Sequence, residues 1–490
     1  MTNHSFITFI PKAGLIISVL IFSTFSCRRN YLDVTEPSAI SPEVFPTKVE
    51  DLDLMLIDVY GRTRNGYFFT DIFSKAAIGL DHTADQGFNG AGFNEWFQNN
   101  LLPGNSHLTD LWNRHYEGIS RANAFLEALN KLRSKGLNAD QENQLKVLEG
   151  QGRFLRAFYY FYLVQFFGET PLTTEADRAR LAVPLWDSVA TSIQATNKAR
   201  ATIGEVWDLI VSDLEQAQVL MINTTSWDAD NKARADLWSV KGFLAKAYLF
   251  SLQYEKARDK AKEVIDQSGK SLLPYDVYRN AFNGENEFNS ESLFELNFTP
   301  DNKDMWNNSL NTSTQYGVII SPSYVQDNGN EETNGFGNLY IHDKNIRRFG
   351  FTLNAVTAAE QKDPTYIAQS IDIRINKDAD PRLYVGTLQP YVDSLQIDNV
   401  WRKVGKNRGE GFDLTQNKAW CHRKFVVLTR SIWADPGPSI NANVYFMRLA
   451  DVYLIYAEAL MMTGDNAQAL EYVNKEIGRA SCRERVCSTV

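Results

Sequence analysis

Cysteine is scarce in this chain of 490 residues, which contains four. Cys27 ends an apolar N-terminal segment, and Cys482 and Cys487 lie among the last residues. Cys421 is therefore the single cysteine in the body of the chain. One thiol excludes an internal disulfide and a Cys-x-x-Cys metal site.

Excess positive charge is also missing. Lys and Arg number 50 against 59 Asp and Glu, a formal net charge of −9, and no basic stripe stands out. This balance argues against a nucleic-acid partner held through its phosphates.

Signatures of catalysis are absent as well. The sequence contains no GxSxG and no HExxH motif, and no Gly-Lys-Ser/Thr follows a predicted strand. The histidines of the body lack metal-ligand spacing: His82, His107, His115, His342 and His422. We therefore expect no catalytic residue, no metal site and no cofactor.

Long hydrophobic runs are limited to one, AGLIISVLIFSTF at residues 13–25. Spanning a bilayer takes about 20 residues, so a secretory signal with Lys12 in its n-region fits better. The cysteine that follows Ser26 resembles the lipobox of bacterial lipoproteins, although Thr24 and Phe25 depart from it. We expect a signal peptide at residues 1–26 and an acylated Cys27. The alternative is an ordinary signal peptide with a coincidental cysteine.

The C-terminal tail has an unusual sequence. Residues 477–486 read IGRASCRERV, which is the codon-by-codon translation of a common sequencing-adapter string. We interpret residues 476–490 as adapter-derived and expect the natural sequence to continue differently after Lys475.

Helical periodicity dominates the first half of the chain. Apolar residues recur at helical spacing in four segments, residues 47–60, 111–132, 141–167 and 202–221. The aromatic half of the third, FLRAFYYFYLVQFF, is apolar nearly all round, which is typical of a buried helix. Gly168 and Pro171 mark its end.

Two further segments, residues 241–265 and 451–473, look like related helical hairpins. Leu244, Ala247 and Ala257 match residues 454, 457 and 467 at a constant offset of 210. Small residues at a helix crossing are typical of tetratricopeptide (TPR) pairs. The sequence therefore predicts a mainly α fold, with a TPR-like scaffold at residues 47–268 and 445–475.

The amino-acid composition changes between residues 269 and 444, where Asn, Asp, Gly and aromatic residues alternate with short apolar runs. A stretch of this length without long helical periodicity is too long for a simple connection. We expect a loop-rich, irregular subdomain laid on the scaffold, where binding residues tend to collect.

Several motifs, taken in order, resemble the SusD/RagB family over residues 27–475. They are Tyr31-Leu32-Asp33, Trp112-x3-Tyr116-x2-Ile119-x2-Ala122-Asn123, Arg153-Phe154-Leu155-Arg156-Ala157, Phe167-Gly168-Glu169-Thr170-Pro171-Leu172, and RLADVYLIYAEA at residues 448–459. The resemblance implies a SusD-like domain on a helical scaffold, anchored in the outer membrane by lipid and facing the cell exterior. It also implies a SusC-like TonB-dependent transporter as partner and an oligosaccharide or peptide as ligand.

Two aromatic-rich segments are candidate ligand sites, because sugar binding needs ring platforms with polar neighbours. The first, residues 81–100, contributes Asp85, Phe88, Asn89, Phe93 and Trp96, and the second, residues 306–324, contributes Trp306, Tyr316 and Tyr324. Trp401 and Trp433 are weaker candidates. The alternative is that these aromatic residues anchor loops to the scaffold.

The arginines of the family-like motifs have a structural explanation. Arg153 and Arg156, and Arg448 with Asp451 and Glu458, are expected to pair with acids or carbonyls while their stems pack. The sequence thus predicts a non-enzymatic nutrient-binding lipoprotein. The rivals are a lipid-anchored glycoside hydrolase with unrecognised acids and a TPR adaptor without a small ligand.

Overall fold

The computed structural model describes residues 45–63, 102–298, 320–322, 324–327, 330–335, 340–341, 343–355, 357–397, 399–405, 420–426 and 442–478. The chain divides into two units, Met1–Thr47 and Lys48–Val490. Of the first unit only residues 45–47 are described, and the account below concerns the second.

In the part of the chain that the structure describes, eight helices form the body of the scaffold. They are α1 (Val49–Thr63), α2 (Ser106–Arg133), α3 (Ala139–Phe167), α4 (Ile203–Leu220), α5 (Leu237–Phe250), α6 (Tyr254–Gln267), α12 (Leu449–Met462) and α13 (Asn466–Gly478). All four single helices and both hairpins predicted from the sequence are confirmed, with ends displaced by a few residues. Within the described residues, no helix combines the length and the apolar character needed to cross a bilayer.

Helix α3 is the centre of the scaffold, and its ends are fixed by local chemistry. The Asn138 side chain accepts a hydrogen bond from the Gln141 amide at 2.9 Å, and the Gln141 side chain accepts one from the Asn138 amide at 3.1 Å. This reciprocal capping box satisfies two amides that the helix itself leaves unpaired. At the other end the Gly168 amide donates to the Val164 carbonyl. The predicted stop is confirmed.

The aromatic half of α3 packs edge to face against three other elements. Ring centroids of Phe154 lie 5.4 Å from Phe243 and 5.1 Å from Phe294, and Phe158 lies 4.9 Å from Phe446. Each such pair adds about 0.5–1.5 kcal/mol to the free energy of burial. The helix that is apolar all round is therefore the core against which the rest of the scaffold packs.

The two hairpins are related, but at a different offset from the one predicted. Helices α5 and α12 begin at residues 237 and 449, and their buried alanines, Ala247 and Ala459, are 212 apart. At the predicted offset of 210, buried Leu244 would correspond to exposed Leu454. Aligning the two hairpins by residue identity misplaced their register by two residues, because the hairpins share a pattern of burial and not of residue identity.

The irregular subdomain contains short helices and strands. Its helices are α7 (Tyr275–Tyr278), α8 (Asp343–Arg348), α9 (Ala358–Lys362), α10 (Pro364–Asn376) and α11 (Leu383–Gly386). The strands in the described residues are β1 (Leu181–Pro184), β2 (Arg200–Thr202), β3 (Ser292–Leu296), β4 (Tyr324–Asp327), β5 (Asn330–Thr333), β6 (Tyr340–Ile341), β7 (Thr387–Leu388), β8 (Ser394–Ile397), β9 (Val400–Val404), β10 (Trp420–His422) and β11 (Val444–Arg448).

The expectation that this region lacks long helices is wrong for α10, which has 13 residues. The Asp363 side chain caps it by accepting from the Thr365 and Tyr366 amides at 2.8 and 3.2 Å, and Pro364 occupies its first turn. Asp-Pro is a recognised helix start, so the signal was present in the sequence.

The strands described here form four antiparallel sheets, in the orders β1-β2, β6-β10-β7, β11-β3 and β5-β4-β9-β8. The β11-β3 pair connects the subdomain to the scaffold, because Val444 pairs with Leu296 and Arg448 with Ser292.

A buried ion pair joins three of the scaffold elements. Arg156 donates to both carboxylate oxygens of Asp213 at 2.7 and 2.8 Å, and to the Asn123 side chain at 2.8 Å. Arg153 adds a bond to Asp213 at 3.2 Å. Helices α2, α3 and α4 are thereby tied at one point, and the predicted structural role of the two arginines is confirmed.

Arg448 has a similar role at the start of α12. Its guanidinium donates to Glu291 at 2.9 Å, and its amide donates to Asp451 at 2.9 Å. Glu458, for which pairing was also predicted, is exposed on α12.

We expect Asp213→Ala to lower the free energy of unfolding by about 3–5 kcal/mol, because it leaves the buried Arg156 without its counter-charge. Urea unfolding followed by circular dichroism measures the change. The matched control is Asp208→Ala on the same helix, which removes an exposed pair with Arg178 at 2.6 Å and should cost less than about 1 kcal/mol. Equal losses for the two variants would contradict the central role of Asp213.

Candidate functional site

Most of the predicted site residues fall outside the described part of the chain. This holds for Asp85, Phe88, Asn89, Phe93 and Trp96 of the first segment, for Trp306 and Tyr316 of the second, for Trp433, and for Cys27. Tyr324 and Trp401 are described, and both belong to the four-stranded sheet.

The strand register places Tyr324 and Trp401 on one face of that sheet. Gln326 of β4 pairs with Lys403 of β9, and Gln396 of β8 pairs with Trp401. Directly paired residues share a face, and so do residues two apart along a strand. The outer face of the sheet therefore has six members whose burial is described: Tyr324, Gln326, Ser394, Gln396, Trp401 and Lys403.

Much of the opposite face of the sheet is apolar and buried. Val325, Val404, Leu395 and Ile397 pack there with Leu388 and Cys421 in a small core of their own. Because alternate residues point to opposite faces, this core determines which side chains face outward. The small apolar core therefore fixes the positions of the residues on the outer face.

Trp401 is 69% exposed, which is unusual for a side chain of this size. Tyr324 is half-buried and lies opposite Gly405, whose amide donates to the Tyr324 carbonyl at 2.8 Å. A Cβ at Gly405 would lie 3.0 Å from the Cβ of Tyr324, so glycine permits the close approach. Four residues of strand separate Gly405 from Trp401, roughly 13 Å along the sheet.

The chemistry of this outer face suits a hydroxylated ring compound. Two aromatic side chains offer surfaces for apolar C–H groups, while the amides of Gln326 and Gln396 and the ammonium of Lys403 can exchange hydrogen bonds with hydroxyls. The roughly 13 Å between the aromatic positions would accommodate an extended ligand in preference to a single ring.

A cleft of about 660 Å³ runs along α2 and the loop after β1. Tyr116 packs edge to face on Trp186 at 5.0 Å and donates through its hydroxyl to the Pro184 carbonyl at 2.8 Å. Asn123 donates to the Trp186 carbonyl at 3.0 Å. These side chains hold the loop on the scaffold, so their family-like spacing has a packing explanation.

Two titratable acids have shifted pKa values next to the β3-β11 pair. Burial raises the pKa of Glu287 to about 7, and burial together with the charge of Glu287 raises that of Glu295 to about 7. Glu295 is 2% exposed and accepts a hydrogen bond from the Phe288 amide. A raised pKa is what a general acid requires, but Glu295 exposes almost none of its surface to a ligand.

Other potential functional groups are also enclosed. His115 is fully buried, its ring nitrogen lies 2.5 Å from the Leu111 carbonyl, and burial lowers its pKa to about 4. Among the described residues, no three His, Cys, Asp or Glu side chains are grouped so that they could hold a metal ion.

Comparison with known proteins decides the family. A family model described as starch-binding and associating with the outer membrane matches residues 30–249, and the SusD family model matches residues 290–487. The chain belongs to the SusD/RagB family. The family motifs found in the sequence lie within these two matches or next to them.

SusD-like relatives align with most of the chain. A SusD-like protein of Formosa agariphila, P25, is 26% identical over 485 residues, which is 94% of this chain and 80% of the relative. A SusD-like protein of Bacteroides ovatus is 24% identical over 310 residues, 60% of this chain and 50% of the relative.

Solved SusD-like structures share the fold. A SusD-like protein of Bacteroides fragilis superposes with a TM-score of 0.70 at 19% identity, covering 92% of this chain and 82% of that one. A laminarin-binding SusD-like protein superposes with a TM-score of 0.62 at 23% identity, covering 88% and 84%. These likenesses confirm the mainly α SusD/RagB fold predicted from the sequence.

We expect Glu295→Gln to flatten the dependence of stability on pH. A carboxyl whose pKa is about 7 in the folded state and 4.5 in the unfolded state contributes stability that is fully present below pH 4.5 and is lost as the pH rises through 7. The variant should lose on the order of 2 kcal/mol less than the wild type between pH 5 and pH 8. Urea unfolding at both values measures this, with exposed Glu285→Gln as control. A variant as pH-sensitive as the wild type would contradict the shift.

Proposed function

We propose that this chain is a lipid-anchored protein of the outer membrane that binds a glycan and delivers it to a SusC-like TonB-dependent transporter. Membership of the SusD/RagB family supports this, because the matching model is described as starch-binding and associating with the outer membrane. A laminarin-binding neighbour of the same fold supports a saccharide ligand.

One observation of the structure carries the binding part of the proposal, namely the exposed ring of Trp401 on the face that also bears Tyr324. Solvating a large apolar ring costs free energy, about 25 cal/mol for each Å² of apolar surface. A sugar face laid on that ring would remove much of this surface from water. The rings predicted from the sequence, among them Trp96, Trp306 and Tyr316, would extend the same kind of site.

The expected affinity is modest. Each ring contact contributes about 0.5–1.5 kcal/mol beyond its buried area, and hydrogen bonds exchanged with water contribute about 1 kcal/mol each. A few such contacts correspond to micromolar or weaker binding. Weak binding suits a protein that must release its ligand to a transporter.

The proposed lipid at Cys27 would compensate for weak binding, because it would keep the protein close to the transporter. Two acyl chains hold a protein stably at a membrane, and tethering beside the transporter raises the effective concentration of captured ligand at its mouth. Catalysis is not required for this role, and SusD-like family members are carbohydrate-binding proteins.

We expect Trp401→Ala to weaken binding of a laminarin oligosaccharide, or of another member of a neutral glycan panel, at least fivefold, because a stacking surface is removed. Calorimetric titration measures this, and the melting temperature should stay unchanged since the ring is exposed. Val400→Ala is the matched control, because Val400 is also exposed but points to the other face.

Unchanged affinity in Trp401→Ala would contradict the sheet face as the site. A sustained release of new reducing ends from the bound glycan would contradict the non-enzymatic role and favour the hydrolase alternative.

We expect Cys27→Ser to abolish incorporation of labelled palmitate and to move the protein from the outer-membrane fraction to the soluble fraction. Membrane fractionation with immunodetection measures the distribution. The control is Cys421→Ser, a cysteine buried in the fold that acylation would not reach. Labelling that persists in Cys27→Ser would reject the proposed anchor.

A further inference from the structure

A second cleft lies on the scaffold, next to the start of β3. Its volume is about 410 Å³, and small-molecule sites are typically clefts of roughly 300–1,000 Å³. Its walls come from the connection between α4 and α5, the turn after α6 and the residues that lead into β3. None of its described lining residues belongs to the four-stranded sheet, so the surface proposed above for glycan binding does not account for it.

An aromatic ring in this cleft is held so that its apolar surface stays available. Trp227 lines the cleft, is half-buried, and donates through its indole nitrogen to the Ala235 carbonyl at 3.0 Å. The neighbouring Thr225 and Ser226 add exposed hydroxyl groups to the same cleft. A ring with its polar atom already bonded, next to groups that donate and accept hydrogen bonds, suits the C–H face and the hydroxyls of a sugar.

Lys232 places a positive charge at the wall of the cleft. Its ammonium lies 4.5 Å from the centroid of the Phe288 ring, and both residues line the cleft. This cation–π contact favours one position of an otherwise flexible side chain. The ammonium forms no ion pair with any residue in the described part of the chain. Its N–H donors are therefore open to an anion.

Phe288 has an unusual backbone conformation. Its φ is 51°, in the left-handed region that favours glycine and is strained for an aromatic residue. Its amide donates to the buried carboxylate of Glu295, and the Asn289 side chain donates to the Asn286 carbonyl at 2.8 Å. These bonds hold the strained turn, and with it the ring that contacts the Lys232 ammonium.

The acids around the cleft are engaged by other groups. Asp236 caps α5, where it accepts hydrogen bonds from the Ser239 amide and hydroxyl, each at 2.8 Å. Burial raises the pKa of Glu295 to about 7, and burial also raises that of Glu287, on which Lys232 acts electrostatically, to about 7. Near neutral pH much of each glutamic acid is therefore uncharged.

Two further cations line the cleft. Arg234 is neutralised, because both oxygens of Asp53 accept from it at 2.6 and 3.0 Å. Lys270 acts electrostatically on Asp236, but its ammonium forms no ion pair with a described residue. The ammonium groups of Lys232 and Lys270 therefore leave the cleft with a positive charge that suits an anion.

We propose that this cleft binds a saccharide unit that carries an acidic group, with its ring against Trp227 and its acid at the Lys232 ammonium. A hydrogen bond between two charged groups is stronger than one between neutral groups, so the cleft prefers an acidic sugar to a neutral one. The inference rests on the proposed function, to which it adds a second site with its own ligand class. The acidic group can be the carboxylate of a uronic acid or a sulfate ester.

The test is calorimetric titration of the full chain at low ionic strength with digalacturonate, sulfolactose and neutral lactose. At least one of the acidic disaccharides should bind at least fivefold more tightly than lactose. This preference should fall as sodium chloride is added, because salt screens the attraction between exposed charges. Inorganic sulfate, which lacks a sugar ring, should compete at least fivefold more weakly than that disaccharide.

We expect Lys232→Gln to weaken binding of the acidic disaccharide at least fivefold and to leave lactose binding unchanged. Phe288→Gly should have a similar effect, because the ammonium loses the ring that positions it. Glycine suits the left-handed backbone, and the melting temperature checks that the fold is intact. Phe288→Tyr keeps the ring and should bind like the wild type. The matched control is Lys146→Gln, which removes the same charge from an exposed position on α3 outside the cleft.

Equal affinity for acidic and neutral disaccharides, or an acidic preference that survives in Lys232→Gln, would overturn the inference. Inorganic sulfate that competes as strongly as the acidic disaccharide would also overturn it, since the sugar ring would then contribute nothing. The disaccharide that binds decides between a carboxylate and a sulfate ester. The proposed function is tested separately, because a neutral glycan whose binding depends on Trp401 would leave it intact even if the cleft bound nothing.

Discussion

The scaffold depends on full compensation of one buried charge pair. Asp213 accepts bonds from two arginines of α3, and Arg156 also bonds Asn123 of α2. A pair of this kind contributes little net free energy compared with apolar residues of equal size. The pair instead contributes specificity, because its hydrogen-bond geometry is satisfied in only one relative placement of the three helices. Their aromatic surfaces alone could pack in more than one way. The family-like motif around Arg153 is thus explained by packing.

The proposed binding surface is separate from this helical framework. The helices provide a rigid body, and the outer face of the four-stranded sheet has its own small apolar core. Exposed rings on such a support keep their positions without closing around a ligand. That arrangement suits capture of long, varied polymers, for which a deep pocket would be an obstacle.

The sequence predicted correctly those helices whose apolar periodicity runs over several turns. It did not predict features that depend on how separate segments pack against each other. The FLRAFYYFYLVQFF helix could be placed because its pattern runs over several turns, and its stop at Gly168 is a local signal. The hairpin register was misplaced by two residues, since the letters at Leu454 agree while its burial does not. Helix α10 was not predicted, although Asp363-Pro364 is a helix-start signal. Its apolar periodicity is short and is interrupted by polar residues.

The candidate site was likewise predicted only in part from the sequence. Tyr324 could be singled out from its aromatic surroundings, and Trp401 was named only as a weaker candidate. Their common face follows from pairings between strands that are about 75 residues apart in sequence, and no local pattern encodes such a pairing.

The β3-β11 pair has an implication for how this protein can change. Leu296 and Val444 are neighbours across it, and the Asn443 side chain accepts a hydrogen bond from the Phe298 amide at 2.9 Å. The chain leaves the scaffold after Leu296 and rejoins it at Val444, so the two ends of the subdomain are held side by side. Phe425, which lies between them, also packs against the scaffold core. A change of length between the two paired ends therefore leaves those ends in place, whereas a change at Phe425 reaches the scaffold itself.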